Sequence, residues 1–126
     1  KSKANDDPDR RLAEAMAARD IARETAAELP DALVVLGGDL NDEPGSEPLM
    51  AIEQDDALRR VAADLGSGLD WTYLYFDDKR ALDHLYLAEE ARGTYEAESS
   101  IILREAKGYG GSDHAALRAT FALSPE

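Results

Sequence analysis

Ala32-Leu33-Val34-Val35-Leu36-Gly37-Gly38-Asp39-Leu40-Asn41 is the stretch on which the fold turns. Its first five residues form a continuous apolar run with the length and β-branched content of a strand buried on both faces. Such a strand has to emerge before it can carry polar groups. Gly37 and Gly38 allow the backbone to bend there, or to approach another group closely. Beyond them, Asp39 and Asn41 stand two residues apart and share a face if the chain stays extended, while Leu40 points the other way into the core. A carboxylate beside a carboxamide offers an acceptor for a water or a metal and a donor for a phosphoryl oxygen. The plain alternative is a strand-end turn, for which Gly, Asp and Asn are ordinary residues.

Upstream, Asn5 to Pro8 is a polar turn that starts a helix, with Asp6 or Asp7 as cap and Pro8 in the first turn. Leu12, Ala15, Met16, Ala22, Ala26 and Leu29 recur at helical spacing and predict an apolar stripe that covers a sheet and ends at Pro30. Downstream, Asp42 to Ser46 reads as a loop bordering a cleft. Ser46 caps a short helix through Pro48, Leu49 and Ile52, and Asp56 to Leu65 reads as a second helical stretch closed by Gly66. The rest is β: Trp71 to Phe76 and Leu82 to Leu87 as a hairpin about a turn at 77–80, then strands over Thr94 to Arg104 and Ala115 to Leu123. Trp71, Tyr73 and Tyr75 alternate along one face, an arrangement that suits packing better than base stacking. The expected class is α+β, a mixed sheet with helices on one side, in one domain spanning 1–126.

Two further clusters join the first. Leu82-Asp83-His84 opens a short strand with a carboxylate that is costly to bury unpaired. Gly108-Tyr109-Gly110-Gly111-Ser112 is a glycine loop that delivers Asp113 and His114 to the start of the last strand. A hydrogen bond between Asp83 and His114 would satisfy the carboxylate and fix the imidazole's tautomer, as an orienting carboxylate does in other hydrolases. His84 faces the opposite side of an extended strand and reads as structural. Arg80, just before the Asp83 strand, is a candidate phosphate contact, although a turn arginine is more often simply solvated. The three clusters together read as one divided site for phosphoester hydrolysis.

In this order and spacing, Gly38-Asp39-Leu40-Asn41, Leu82-Asp83-His84-Leu85 and Ser112-Asp113-His114 resemble the C-terminal motifs of the endonuclease/exonuclease/phosphatase superfamily, the deoxyribonuclease I-like fold. Lys1-Ser2-Lys3 resembles the tail of a further family segment in which a histidine stands shortly before a Lys-Ser pair. The resemblance implies that Asp39 and Asn41 position the attacking water and the scissile phosphate. It also implies that Asp113 contributes to a divalent-metal site together with Asp39, and that His114, held by Asp83, contacts or protonates the phosphate. Asp39 and the Asp83–His114 pair are both contenders for general base. Oxygen-rich ligation suits Mg²⁺, with Mn²⁺ or Ca²⁺ as alternatives. The family's domain is about twice this length, and its N-terminal half supplies an Asn, a metal-binding Glu and a His that this sequence lacks. The expectation is therefore the C-terminal half of a four-layer α/β/β/α sandwich. Such a piece carries part of a site, has little activity alone, and leaves a sheet to be covered by an N-terminal half or by a second copy.

Composition bounds these readings. Of 126 residues, 27 are acidic and 14 basic, a formal charge of −13. Nucleic-acid binders usually show a basic footprint, so this surface repels a polyanion at long range, although salt and bound cations weaken that repulsion. A basic surface elsewhere, a saline medium, or a small-molecule or lipid phosphoester substrate would each reconcile the charge with the motifs. Acidic helix faces that confer solubility are the plain alternative. There is no cysteine, which removes disulfides and thiolate metal sites without fixing a compartment. No apolar run approaches the roughly 20 residues of a membrane span.

Overall fold

The computed structural model describes residues 7–104 and 112–123, so Lys1-Ser2-Lys3, the cap candidate Asp6 and the glycines of 108–111 lie outside the described residues. Helix α1 (Pro8–Glu28) begins as the sequence predicts: Asp7 is the cap, its Oδ1 accepting from the Asp9 and Arg10 amides at 3.1 and 3.3 Å. The stripe is narrower than expected. Ala15, Ala22 and Ala26 are buried, whereas Met16 and Leu29 are 41% and 54% exposed. Only methyl groups lie at the closest approach, where α1 meets Leu49 and Ile52 of α2 (Glu47–Ile52), and the bulkier side chains at its margin turn to solvent. Ser46 precedes α2 without making a side-chain cap, and Pro48, the second residue of that helix, removes one of the two amides such a cap could use.

The main sheet has the order β1-β5-β2, from β1 (Val35–Asp39), β2 (Leu58–Arg60) and β5 (Asp83–Ala88). Both pairings are antiparallel, which corrects the expected mixed sheet. The first strand also differs from its reading: it starts at Val35, runs through both glycines to Asp39, and its second half is exposed instead of buried on both faces. Gly37 lies opposite Leu85, and a Cβ on Gly37 would come within 2.6 Å of Leu85 Cδ2. The glycine is thus the condition for close pairing at that point.

Alternation along β5 sorts the molecule into two sides. Tyr86 and Ala88 pack with Val34, Leu58, α1 and α2, while Leu87, with Leu85 beside it, packs against Val61, Tyr95 and Phe121. Both main-chain helices therefore cover one face of the sheet. Tyr86 is fully buried and its hydroxyl donates to Glu53 Oε2 at 2.9 Å.

Three readings of the middle and end of the chain are corrected. The helix expected over Asp56 to Leu65 is instead a 3-10 turn (Gln54–Asp56), the strand β2 and a second 3-10 turn (Val61–Leu65). Asp55 and Asp56 take left-handed φ values of 65° and 56°, which stops helical continuation and leaves Leu58 to pair with Ala88. The hairpin partner of Trp71–Phe76 is the predicted turn itself: β3 (Tyr73–Tyr75) pairs with β4 (Asp78–Arg80), because both edges of β5 are taken by β1 and β2. The long terminal strands are each divided. β6 (Thr94–Tyr95) pairs with β9 (Phe121–Ala122), and β7 (Ile101–Leu103) pairs with β8 (Ala116–Arg118). Glu98, at φ 64°, interrupts the first of these stretches. The result is α+β with small antiparallel sheets and two α-helices, and among the described residues no helix is long and apolar enough to cross a membrane.

Candidate active site

The β1–β5 register places Asp39 directly opposite Asp83, at the end of the sheet and on the face away from the helices. Two like charges so placed repel each other. His114 lies between them. Its Nδ1 is 2.6 Å from Asp83 Oδ2, and its Nε2 is 3.8 Å from Asp39 Oδ2 and 3.9 Å from Asp113 Oδ1. The short contact to ionised Asp83 makes Nδ1 the donor, which leaves Nε2 facing the other two carboxylates. Both Nε2 separations are too long for a direct hydrogen bond and wide enough for one intervening oxygen.

Three neighbours fix this ring. Tyr73 forms an isolated antiparallel bridge with His114 and tilts its own ring against the imidazole at 5.1 Å between centroids. The His114 amide donates to Ser112 Oγ at 3.0 Å, and the Ala115 amide donates to the Thr72 carbonyl at 2.7 Å. Thr72, wholly buried, accepts at Oγ1 from the amides of Leu82 and Asp83, both at 3.1 Å. This couples the β3–β4 hairpin to the strand that carries Asp83. Burial of the ring opposes its protonation, but the hydrogen bond and charge of Asp83 and the charges of Asp39 and Asp113 outweigh it, so His114 titrates above the ordinary histidine value.

Asp39 is held differently. After it the chain leaves the strand: Asn41 has φ 54°, and its amide donates to Asp39 Oδ1 at 2.9 Å in an Asx turn. The expected shared face of Asp39 and Asn41 therefore does not form, since the extended geometry ends between them. Leu40 does turn inward against the core beneath α1 and α2.

Asp39, Asp83 and His114 are brought together, with one ligand atom of each within 4.8 Å of the others. A recess of about 400 Å³ opens beside Asp83 and His114, with Gly38, Leu85 and Ala115 to Leu117 in its walls. Asp113 is not in its walls and has a side chain 79% exposed. Asn41 and Arg80 are elsewhere: they line a neighbouring recess of about 490 Å³ with Arg11, Asp42, Glu43 and Ser46. Arg80 donates from Nε to Asp78 Oδ2 at 2.8 Å, and that carboxylate raises its pKa further. Its charge is already matched.

His84 takes the structural place expected of it. It is 1% exposed, Nε2 sits 2.8 Å from the Asp42 carbonyl oxygen, and burial holds its pKa below the ordinary value. Sequence reasoning missed Thr72 and Ser112 as supports and weighed Tyr73 as packing or base stacking, not as a neighbour of the histidine. The alternation of Trp71, Tyr73 and Tyr75 gave a signal for Tyr73, whereas nothing in a lone threonine marks a double acceptor.

Among the described residues, the ligand atoms that gather closely enough for one cation are those of Asp39, Asp83 and His114, with Asp83 engaged in orienting the ring and Asp113 outside the group. Comparisons of the chain with protein-family models, with curated proteins and with solved structures each return no match.

Proposed function

We propose that the chain is the C-terminal half of an endonuclease/exonuclease/phosphatase domain, part of a four-layer sandwich, and works in metal-dependent hydrolysis of phosphoesters, as a nuclease or phosphodiesterase. The observation that carries this reading is the Asp83–His114–Asp39 array, in which an imidazole oriented through Nδ1 presents Nε2 to a second carboxylate across a gap one oxygen wide.

Asp83 keeps the Nδ1 proton in place and stabilises the imidazolium. In its protonated form, which the surrounding carboxylates favour, His114 donates from Nε2 to a phosphoryl oxygen seated in the gap. Asp39, with Oδ1 fixed by the Asn41 amide, presents Oδ2 beside that gap and accepts a proton there from an attacking water. A divalent ion held by Asp39 and Asp113 would polarise the phosphate and offset charge on the departing oxygen. Asn41 and Arg80, lining the adjacent recess, bind the part of the substrate that extends past Asp39.

The test is hydrolysis of bis(4-nitrophenyl) phosphate, single-stranded DNA, RNA and a phosphomonoester, with Mg²⁺ or Mn²⁺ and after EDTA. It is run on the 126-residue chain and on a longer polypeptide that contains it. The longer polypeptide turns over a diester in a metal-dependent manner and loses about 100-fold or more in Asp39→Ala and His114→Ala, in line with removal of an acid–base group. The 126 residues alone turn over little, since the family's remaining metal carboxylate is not among them. Metal-independent turnover, or substitutions that change the rate less than twofold, overturns the reading.

A further inference from the structure

A recess of about 440 Å³ has Trp71, Lys79, Ser67, Asp70 and Glu43 in its walls, a volume within the roughly 300–1,000 Å³ of small-molecule sites. The proposed chemistry uses none of these side chains. Trp71 is the only tryptophan of the chain, and it is firmly seated. The Arg104 guanidinium stacks 3.9 Å from the indole centroid and is itself anchored, with Nη2 donating to the Leu69 and Trp71 carbonyls at 2.7 Å each and Nε to Trp71 at 3.2 Å. Lys79 Nζ lies 5.4 Å from the same centroid, on the exposed strand β4. The indole thus carries a fixed cation stacked on it and a second, exposed cation over it, at the wall of a preformed recess.

The other walls narrow the ligand chemistry. Asp70 is held through Oδ2 by Arg60 Nη1 at 3.0 Å, and Glu43 stands opposite in sign to Lys79. The charges of Glu43, Asp70, Arg60 and Lys79 in the recess therefore balance, which disfavours a bare phosphate, and four charged side chains in its walls disfavour an acyl chain. A planar heteroaromatic ring with amino groups satisfies both conditions, since it stacks on indole and donates to carboxylates. Glu43 also lines the recess of Asn41 and Arg80, so the two recesses adjoin, with Lys79 and Arg80 successive along β4 between them.

We infer that this recess is a nucleobase subsite: the base stacks on Trp71 in place of the Lys79 ammonium, its amino groups donate to Glu43 or Asp70, and its phosphate meets Lys79 on the way toward Arg80 and Asn41. This rests on the hydrolase reading only for what the bound group is used for, and binding is measured without turnover.

The 126-residue chain is titrated with AMP, GMP, ribose 5-phosphate and inorganic phosphate, followed by Trp71 emission and by calorimetry. Both mononucleotides quench the emission saturably, and ribose 5-phosphate and phosphate do not. Lys79→Gln raises the mononucleotide Kd about three- to tenfold, and Trp71→Leu raises the calorimetric Kd about tenfold or more, as loss of one stacked base requires. Should Trp71→Leu fail to fold by circular dichroism, Trp71→Phe keeps a stacking ring and binds within about fivefold of wild type. The inference is overturned if ribose 5-phosphate binds within twofold of AMP, if mononucleotides leave the emission unchanged, or if folded Trp71→Leu binds as wild type does. Mononucleotide binding in a protein whose longer polypeptide hydrolyses no phosphoester sinks the hydrolase reading and leaves the subsite. Hydrolysis of bis(4-nitrophenyl) phosphate without mononucleotide binding does the reverse.

Discussion

Coupling between Asp83 and His114 should fall as pH rises, and its size follows from the geometry. The pair is 2.6 Å apart, with side chains 21% and 23% exposed, so it lies between a surface ion pair and a buried one. Exposed pairs contribute about 0.2–1 kcal/mol, and hydrogen bonds to charged groups about 1.5–3 kcal/mol, which puts this bond near 1.5 kcal/mol while the ring is charged. Once the ring is neutral, an ordinary hydrogen bond of about 0.5–1 kcal/mol remains. The sign follows from the raised folded-state pKa of His114: its contribution is complete below the ordinary value of about 6.5 and is lost as pH rises through the folded value. A double-mutant cycle with Asp83→Asn and His114→Gln, read by urea denaturation at pH 6 and pH 9, isolates the pair, because His84 and every other titrating group occurs in all four proteins. The coupling free energy should decrease by about 0.5–1 kcal/mol between the two pH values, equivalent to roughly 2–4 °C in Tm for a chain of this length. A coupling that is flat across this range, or within about 0.3 kcal/mol of zero at pH 6, would refute a charge-assisted bond between these groups.

Gly93→Ala should destabilise by about 1–3 kcal/mol, since the new methyl would meet Leu33 Cα at 2.8 Å and backbone must move to admit it; a urea midpoint within error of wild type contradicts that crowding. Tyr86→Phe should cost about 1–2 kcal/mol in the same assay by leaving Glu53 without the buried hydroxyl, and no loss would mean that water replaces the bond. His84, whose folded pKa is depressed by burial, contributes stability that is present above about pH 6.5 and lost as pH falls through its folded value. His84→Gln should therefore flatten the acid limb of the stability profile below about pH 6.5, and an unchanged slope there would place the proton uptake on another group.

How much was legible in the sequence depended on whether the signal was local. Helix α1 was readable because cap, proline and periodicity all lie within its own segment, and the Asp83–His114 pairing was readable because a carboxylate at an apolar strand start needs a partner. What failed was pairing. Leu58-Arg59-Arg60 has no strand signature of its own; it becomes β2 because the edge of β5 at Tyr86 to Ala88 is open to it and Asp55 and Asp56 break the helix before it. The same competition displaced the Trp71–Phe76 hairpin onto Asp78–Arg80, whose charged residues read as a turn. Asn41 was assigned to a shared face with Asp39 on the assumption of extended backbone, an assumption that a left-handed residue at Asn41 removes.

The site is expensive to hold and the fold shows how that cost is met. Asp39 and Asp83 face each other across an antiparallel pair, an arrangement that is destabilising by itself. Gly37 and Gly38 precede Asp39 without a side chain to pack, and Gly38, at φ 143°, takes a conformation that L side chains rarely adopt. Gly37 lets β1 approach Leu85, but neither glycine nor the facing carboxylates add side-chain attraction between the strands. Each is offset from outside the strand: Thr72 fastens the β5 end at two amides, the Asn41 turn fastens Asp39, and His114 contributes the positive charge that the two carboxylates lack. Local rules are thus broken together at one point and compensated by residues from three separate segments, the pattern expected of functional or strained sites.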